Sequence, residues 1–194
     1  MAELFETVQR VRRSAEISEC GKYRWWLRRD WQLWNDAGEH VTGKGVCCFV
    51  MHNPSTADAM QDDPTIRRCI NFARAWGYDT LSVRNIYAFR ATDPRDLPRT
   101  MDEAVGGNRG DSELLSALTA DLVIAAWGST LPHHGSRERI VLSMFQQFAP
   151  AKEIYCLGTT KDGHPRHPLY VKGDTMPQLF PPTPTKAKGD SSNG

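Results

Sequence analysis

Three short polar stretches hold residue types able to do chemistry, and they follow one another in order: Val50-Met51-His52-Asn53-Pro54-Ser55, Ala126-Trp127-Gly128-Ser129 and His164-Pro165-Arg166-His167-Pro168-Leu169. Amides, hydroxyls and imidazoles such as these position water, donate to developing charge and move protons. Each stretch follows a run that reads as a buried strand. An open parallel sheet carries its working residues on the loops past the carboxyl ends of its strands, so three polar loops at one sheet edge predict one site.

The elements that must position these loops are read from hydrophobic spacing. Strands are expected over Tyr23 to Asn35, Val46 to Met51, Leu81 to Tyr87, Leu122 to Ala126 and Ile154 to Leu157. Asp63-Pro64 opens a helix, with Asp63 as N-cap and Pro64 at the first helical position; Ile66, Ile70, Phe72 and Ala73 give its apolar face and Gly77 ends it. Asp111 to Thr119 reads as a helix with Leu114, Leu115 and Leu118 inward. Arg137 to Phe148 reads as another, with Ile140, Val141, Met144, Phe145 and Phe148 as its buried stripe. Alternating strands and helices predict an α/β fold: a three-layer α/β/α domain around a central mainly parallel sheet, with an N-terminal antiparallel ribbon. The expected organisation is a basic N-terminal segment over 1–22, one domain over 23–176 and a disordered tail over 177–194, where four of the 12 prolines gather.

Composition narrows the function classes. The chain has 194 residues, 40% hydrophobic and 24% charged, with a net charge of +1, which describes one ordinary soluble domain. No apolar run approaches the roughly 20 residues of a membrane span, and Met1 to Ser14 lacks the apolar core of a signal peptide. A cytoplasmic monomer is expected, with no membrane association. The five cysteines form neither a disulfide framework nor a CxxC site, and Cys47, Cys48 and Cys156 fall in apolar runs where free cysteine is buried. His133-His134 and His164 with His167 lack a partnering Cys or carboxylate at metal spacing. No GxGxxG or GxxxxGK[ST] loop occurs either, so no metal or cofactor is expected.

Charge distribution says more than net charge. Arginines outnumber lysines 17 to 7, and a guanidinium is the planar, forked donor suited to phosphate and stacking. Arg10, Arg12, Arg13, Lys22, Arg24, Arg28 and Arg29 are offset there only by Glu16 and Glu19, with Trp25, Trp26, Trp31 and Trp34 among or just after them. This suits a nucleic-acid surface. It also suits a two-stranded ribbon with aromatics packed on one face and arginines solvated on the other.

With Asn-Pro-Ser after one buried strand, Trp-Gly after a later one and His-Pro-x-x-Pro-Leu near the end, the chain resembles the uracil-DNA glycosylase superfamily in its loop motifs and strand order. Ser82 to Arg90 is similar to the strand whose asparagine faces the base pocket in that superfamily. Asn53 to Asp58, Asp63 to Arg68 and Gly158 to Pro165 also resemble a bacterial and phage family of unknown function, over roughly residues 23 to 171. The usual histidine motif has one residue fewer between its prolines, so His164 and His167 both stand as the functional histidine.

The resemblance implies cleavage of an N-glycosidic bond in DNA, with DNA as partner and a base flipped into a pocket. It makes Asn53 the residue that holds the water, with Asp58 or Asp63 supplying basicity; Asp63 also reads as a helix cap. His164 or His167 would donate to the departing base. Asn85 would read a base edge, Tyr87 or Phe89 would stack on it, and His52 and Ser55 would complete the pocket. Ser129, Arg166, Arg90, Arg67 and Arg68 are the candidates for backbone phosphates. The first motif lacks the stronger carboxylate and a tyrosine after its proline, so a modified or damaged base is expected, hypermodified phage DNA included. Two other readings stay open: a non-catalytic nucleic-acid or nucleotide-binding module, and an N-glycoside hydrolase acting on free nucleosides or nucleotides.

Overall fold

A computed structural model describes residues 11–55, 61–129 and 137–181. Its strands are β1 (Arg12–Ile17), β2 (Arg24–Asp30), β3 (Leu33–Trp34), β4 (His40–Val41), β5 (Val46–Met51), β6 (Thr80–Asn85), β7 (Leu122–Ala125), β8 (Tyr155–Cys156) and β9 (Gln178–Leu179). Its helices are α1 (Pro64–Ala75), α2 (Met101–Val105), α3 (Gly107–Leu115) and α4 (Arg137–Phe148).

The central strands are apolar at both parities, so they must be covered on both faces. Cys47, Phe49 and Met51 of β5 pack with Leu81, Val83 and Ile124 against Ile66, Cys69, Ile70, Phe72 and Ala73 of α1. Cys48 and Val50 of β5 pack with Val123 and Ala125 on the opposite face, against Ala104 of α2, Leu114 of α3 and Val141 and Phe145 of α4. The sheet order is β1-β2-β6-β5-β7-β8-β9, with β6, β5, β7 and β8 parallel and the flanking strands antiparallel. From β5 the chain passes first to β6 on one side and later to β7 on the other. Such a reversal opens a crevice beyond the carboxyl ends of the strands, where open α/β sheets bind ligands.

Local signals set several boundaries. The Asp63 carboxylate accepts from the Ile66 N–H at 2.8 Å, and Pro64 begins α1, as its sequence predicts. The other helices depart from expectation. α3 starts at Gly107 and tightens into a 3-10 turn over Ser116–Thr119. In α4 the buried side chains are Arg137, Val141 and Phe145, while Ile140 and Phe148 are exposed. Two apolar stripes one residue apart compete on that helix. The Arg137 guanidinium decides between them, because it donates to the Ile86 carbonyl at 2.8 Å and pairs with Asp111.

Three further boundaries are corrected. The ribbon is not separate: β1 pairs with β2 and β2 pairs with β6, so the segment over 1–22 supplies the sheet's edge strand from Arg12. The strand expected to reach Asn35 stops at Asp30, and Leu33–Trp34 pairs instead with His40–Val41. The domain does not end at 176. β9 pairs with β8 and Phe180 is buried, because the edge of β8 and the core under Trp127 need covering. Residues 1–10 and 182–194 lie outside the described ones.

The ribbon also fails to sort aromatics from arginines. Arg24 and Arg29 are both buried. Glu16 faces Trp26 and Ile17 faces Arg24, which leaves Trp25 as the extra residue of a β-bulge. A bulge re-aims the side chains beside it. Leu27 joins the α1 side, while Trp25 is stacked on Tyr23 and lies under the Arg109 guanidinium.

Candidate active site at the carboxyl edge of the sheet

Backbone hydrogen bonds tie the polar loops into one structure. Past β5, the Met51 and His52 carbonyls accept from the Ile86 and Tyr87 N–H groups, and the Pro54 carbonyl accepts from Ala91. Past β7, the Gly128 N–H donates to the Pro165 carbonyl at 3.0 Å. Gly128 has φ +74°, a conformation that favours glycine, and this turns Ser129 toward the last loop. The loops border an open cavity of about 480 Å³. Its inner wall is Met51, Val83 and Asn85 on the strand ends, Ile66 on α1 and Arg24 on β2.

Asn53 lines this cavity with both ends of its amide engaged. Its Nδ2 donates to the Ala91 carbonyl at 2.8 Å, and its Oδ1 lies 3.0 Å from His52 Nδ1. The first bond fixes which end is oxygen, so His52 Nδ1–H donates to it. One lone pair of that oxygen remains for a further donor. The His52 ring rests on Tyr87, with centroids 5.0 Å apart.

Asp63 combines both of its sequence readings. One carboxylate oxygen caps α1, the other accepts from the Ser55 hydroxyl at 3.3 Å, and the residue lines the cavity. Its neighbour Asp62 is held by Arg29 at 2.7 Å and by Arg13 at 3.3 Å, which anchors the segment leading into α1. Asp58 lies outside the described residues.

The two histidines of the last loop are separated by the fold. His164 Nδ1 lies 2.6 Å from Glu138 in the first turn of α4, and His164 does not line the cavity. His167 does line it. Its Nδ1 accepts from the Leu169 N–H at 3.4 Å as cap of a 3-10 turn, so a neutral ring carries its proton on Nε2. Burial holds the His167 imidazole below its usual pKa; the Asp63 carboxylate opposes that shift and His52 adds to it.

Asn85 is buried at the inner wall. The expected stacking wall is not there. Tyr87 is fully buried beneath His52, where burial raises its phenol pKa strongly, and Phe89 stands edge-on to Tyr23. The strand stops at Asn85, short of the Tyr87 expected, so neither aromatic stands on it. Tyr170 is the exposed aromatic at the rim, 79% accessible, with its ring 5.6 Å from that of His167.

Of the phosphate candidates, three are occupied in holding loops. Arg67 donates to the Asp62 carbonyl, Arg68 to Val171 at 2.5 Å and Arg90 to Gly21 at 2.9 Å. Ser129 and Arg166 line an adjoining groove of about 470 Å³ with Lys161 and Tyr170. Sequence reasoning also left out Arg24, Thr92 and Tyr170. The only trace of Arg24 was its place in a basic, aromatic run.

Among the described residues no group of three His, Cys, Asp or Glu side chains is arranged to hold a metal ion, and no helix is long and apolar enough to cross a membrane. No curated protein and no solved structure matches the chain. A family model described as a protein of unknown function, DUF1643, matches residues 24–169, and the chain belongs to that family.

Proposed function

We propose that this protein is a DNA N-glycosylase that draws a modified or damaged base into the cavity and leaves an abasic site. The observation that carries the reading is the convergence of Asn53, Asp63 and His167 on one cavity at the switch point of the sheet. The loop resemblance to the uracil-DNA glycosylase superfamily supports it. So does the α/β architecture, which is compatible with the three-layer fold of that superfamily.

In this reading a water held by Asn53 Oδ1 attacks the sugar C1′ and loses its proton to Asp63. The C1′–N bond breaks as the new C–O bond forms, and its electron pair leaves with the base. The Nε2–H of neutral His167 donates to the base as charge grows there, an interaction strongest in the transition state. Asn85 offers paired donor and acceptor to a base edge. Tyr170 supplies a stacking surface, and the groove with Ser129, Lys161 and Arg166 takes the flanking strand.

The test is an abasic-site assay, read by alkaline strand cleavage, on DNA containing uracil, hypoxanthine, hydroxymethylated or glucosylated cytosine, and on phage genomic DNA. Breaks with wild type that disappear in Asn53→Ala are the expected outcome. DNA binding without breaks on any substrate would leave a binding module. Turnover of free nucleosides alone would make the protein a nucleoside hydrolase.

A further inference from the structure

Arg24 is 5% exposed, lines the inner wall of the cavity and has its Nε buried without a hydrogen-bond partner. It makes no ion pair among the described residues. The charged groups that act on it are Asp63, which favours the cation, and Arg90 and Arg29, which oppose it. Asp63 acts on it only through space and forms no ion pair with it; that carboxylate caps α1 and accepts from Ser55. Arg29 is already paired with Asp62.

A guanidinium out of water, beside other cations and with no carboxylate in ion-pair contact among the described residues, is unfavourable for folding. Burial lowers the Arg24 pKa to about 10, which still leaves the side chain charged at neutral pH. A second feature points the same way. The N-terminal turn of α1 faces the cavity through Thr65 and Ile66, so the positive end of that helix dipole adds to the guanidinium. Asp63 offsets the helix end. No described carboxylate pairs with Arg24 directly.

We propose that Arg24 forms an oxyanion subsite in the buried lining of the cavity, and that the ligand carries a carboxylate or phosphate group to it. A planar guanidinium binds either group through two parallel N–H···O bonds, which defines the ligand by charge and by shape. The proposal rests on the cavity being the substrate site, but not on glycosylase chemistry. The anion has two possible sources: an acidic substituent on a flipped base, or the phosphate of a free nucleotide.

The test compares wild type with Arg24→Met and Arg24→Lys in calorimetric titrations. The probes are inorganic phosphate, nucleoside 5′-monophosphates with their parent nucleosides, and oligonucleotides carrying 5-carboxycytosine or 5-hydroxymethylcytosine. At least a roughly tenfold loss of affinity for an anionic probe in Arg24→Met is expected, as one charge-assisted bidentate pair is removed. The neutral counterpart should be unaffected, and Arg24→Lys should recover part of the loss. Dependence confined to the carboxylated oligonucleotide identifies a base-borne anion; dependence confined to monophosphates or phosphate identifies a free nucleotide. Equal affinity of wild type and Arg24→Met for every anionic probe overturns the subsite, as does failure of all of them to bind wild type. An abasic-site assay on the same proteins separates this from the reaction. Base release from the carboxylated oligonucleotide at the wild-type rate in Arg24→Met would sink the subsite and leave the glycosylase standing. Arg24-dependent binding with no base release would do the reverse.

Discussion

Two buried arginines on β2 meet opposite fates. Arg29 is fully enclosed, and its guanidinium reaches the Asp62 carboxylate at 2.7 Å, the Arg28 carbonyl at 2.8 Å and the Ser14 carbonyl at 3.3 Å. Arg24, before the bulge-shifted pairing of β2 settles into register, turns into the cavity and finds none of these. The same side chain on the same strand is a structural clasp at one position and an open donor at the other. Burial alone therefore does not mark an arginine as structural. What separates the two is whether the fold supplies its acceptors; where it does not, solvent or a ligand must.

The sharpest way to break the contrast is Arg29→Met. It leaves Asp62 with only the half-exposed Arg13, so unfolding free energy in urea should drop by about 3–5 kcal/mol, as when a buried pair loses one partner. Asp63→Asn tests the neighbouring carboxylate without unfolding α1, since asparagine caps as well as aspartate. Thermal stability should hold while base release falls by about 100-fold or more, the scale of a lost general base. Unchanged activity would make Asp63 a cap and nothing more.

Arg24→Met should do to stability the opposite of Arg29→Met. Removing a buried cation that has no ion pair should leave the unfolding free energy in urea unchanged or raise it by up to about 1–2 kcal/mol. A loss comparable to that of Arg29→Met would mean that Arg24 has protein partners after all.

A pH series probes the other titrating group of the cavity. The folded His167 pKa lies below its ordinary value of 6.5. The unfolded chain therefore binds the proton more readily, and stability should decline as pH falls from 6.5 toward the folded pKa. Above 6.5 this group should contribute no pH dependence. In His167→Gln the acid-side slope of the urea midpoint should flatten. The smallest effect is expected on the outer stripe of α4. Phe148→Ser should change stability by no more than about 0.5 kcal/mol, whereas Phe145→Ala on the buried stripe should cost about 3–5 kcal/mol.

Much of the frame was legible in the sequence. β5 matched its apolar run end to end, and α1 began where Asp63-Pro64 said it would, because these signals act over a few residues. Loop order was legible for the same reason: each polar stretch abuts the strand that carries it. Asn53, Ser55, Asn85, Ser129 and His167 all came from those stretches or strand ends and reached the cavity.

Other features depended on partners distant in the chain. α4 carries two apolar stripes that periodicity ranks alike, and a bond from Arg137 to the Ile86 carbonyl chose one. Tyr87 and Phe89 lie beyond Asn85, where the strand ends and distant packing sets their surroundings. His164 and His167 have the same chemistry in sequence. Glu138 on one side and the Leu169 N–H on the other gave them separate tasks.

By itself, then, the sequence determined the strand and helix types, the order of the loops and the polar groups they carry. Each of these follows from short-range pattern and from rules of chain connection. Tertiary structure alone decided which histidine meets the cavity, which carboxylate stands beside it and which of two buried arginines has no ion-pair partner among the described residues. Those outcomes turn on contacts such as Arg29 with Asp62 and Gly128 with Pro165, which exist only once the sheet has brought distant segments to one edge.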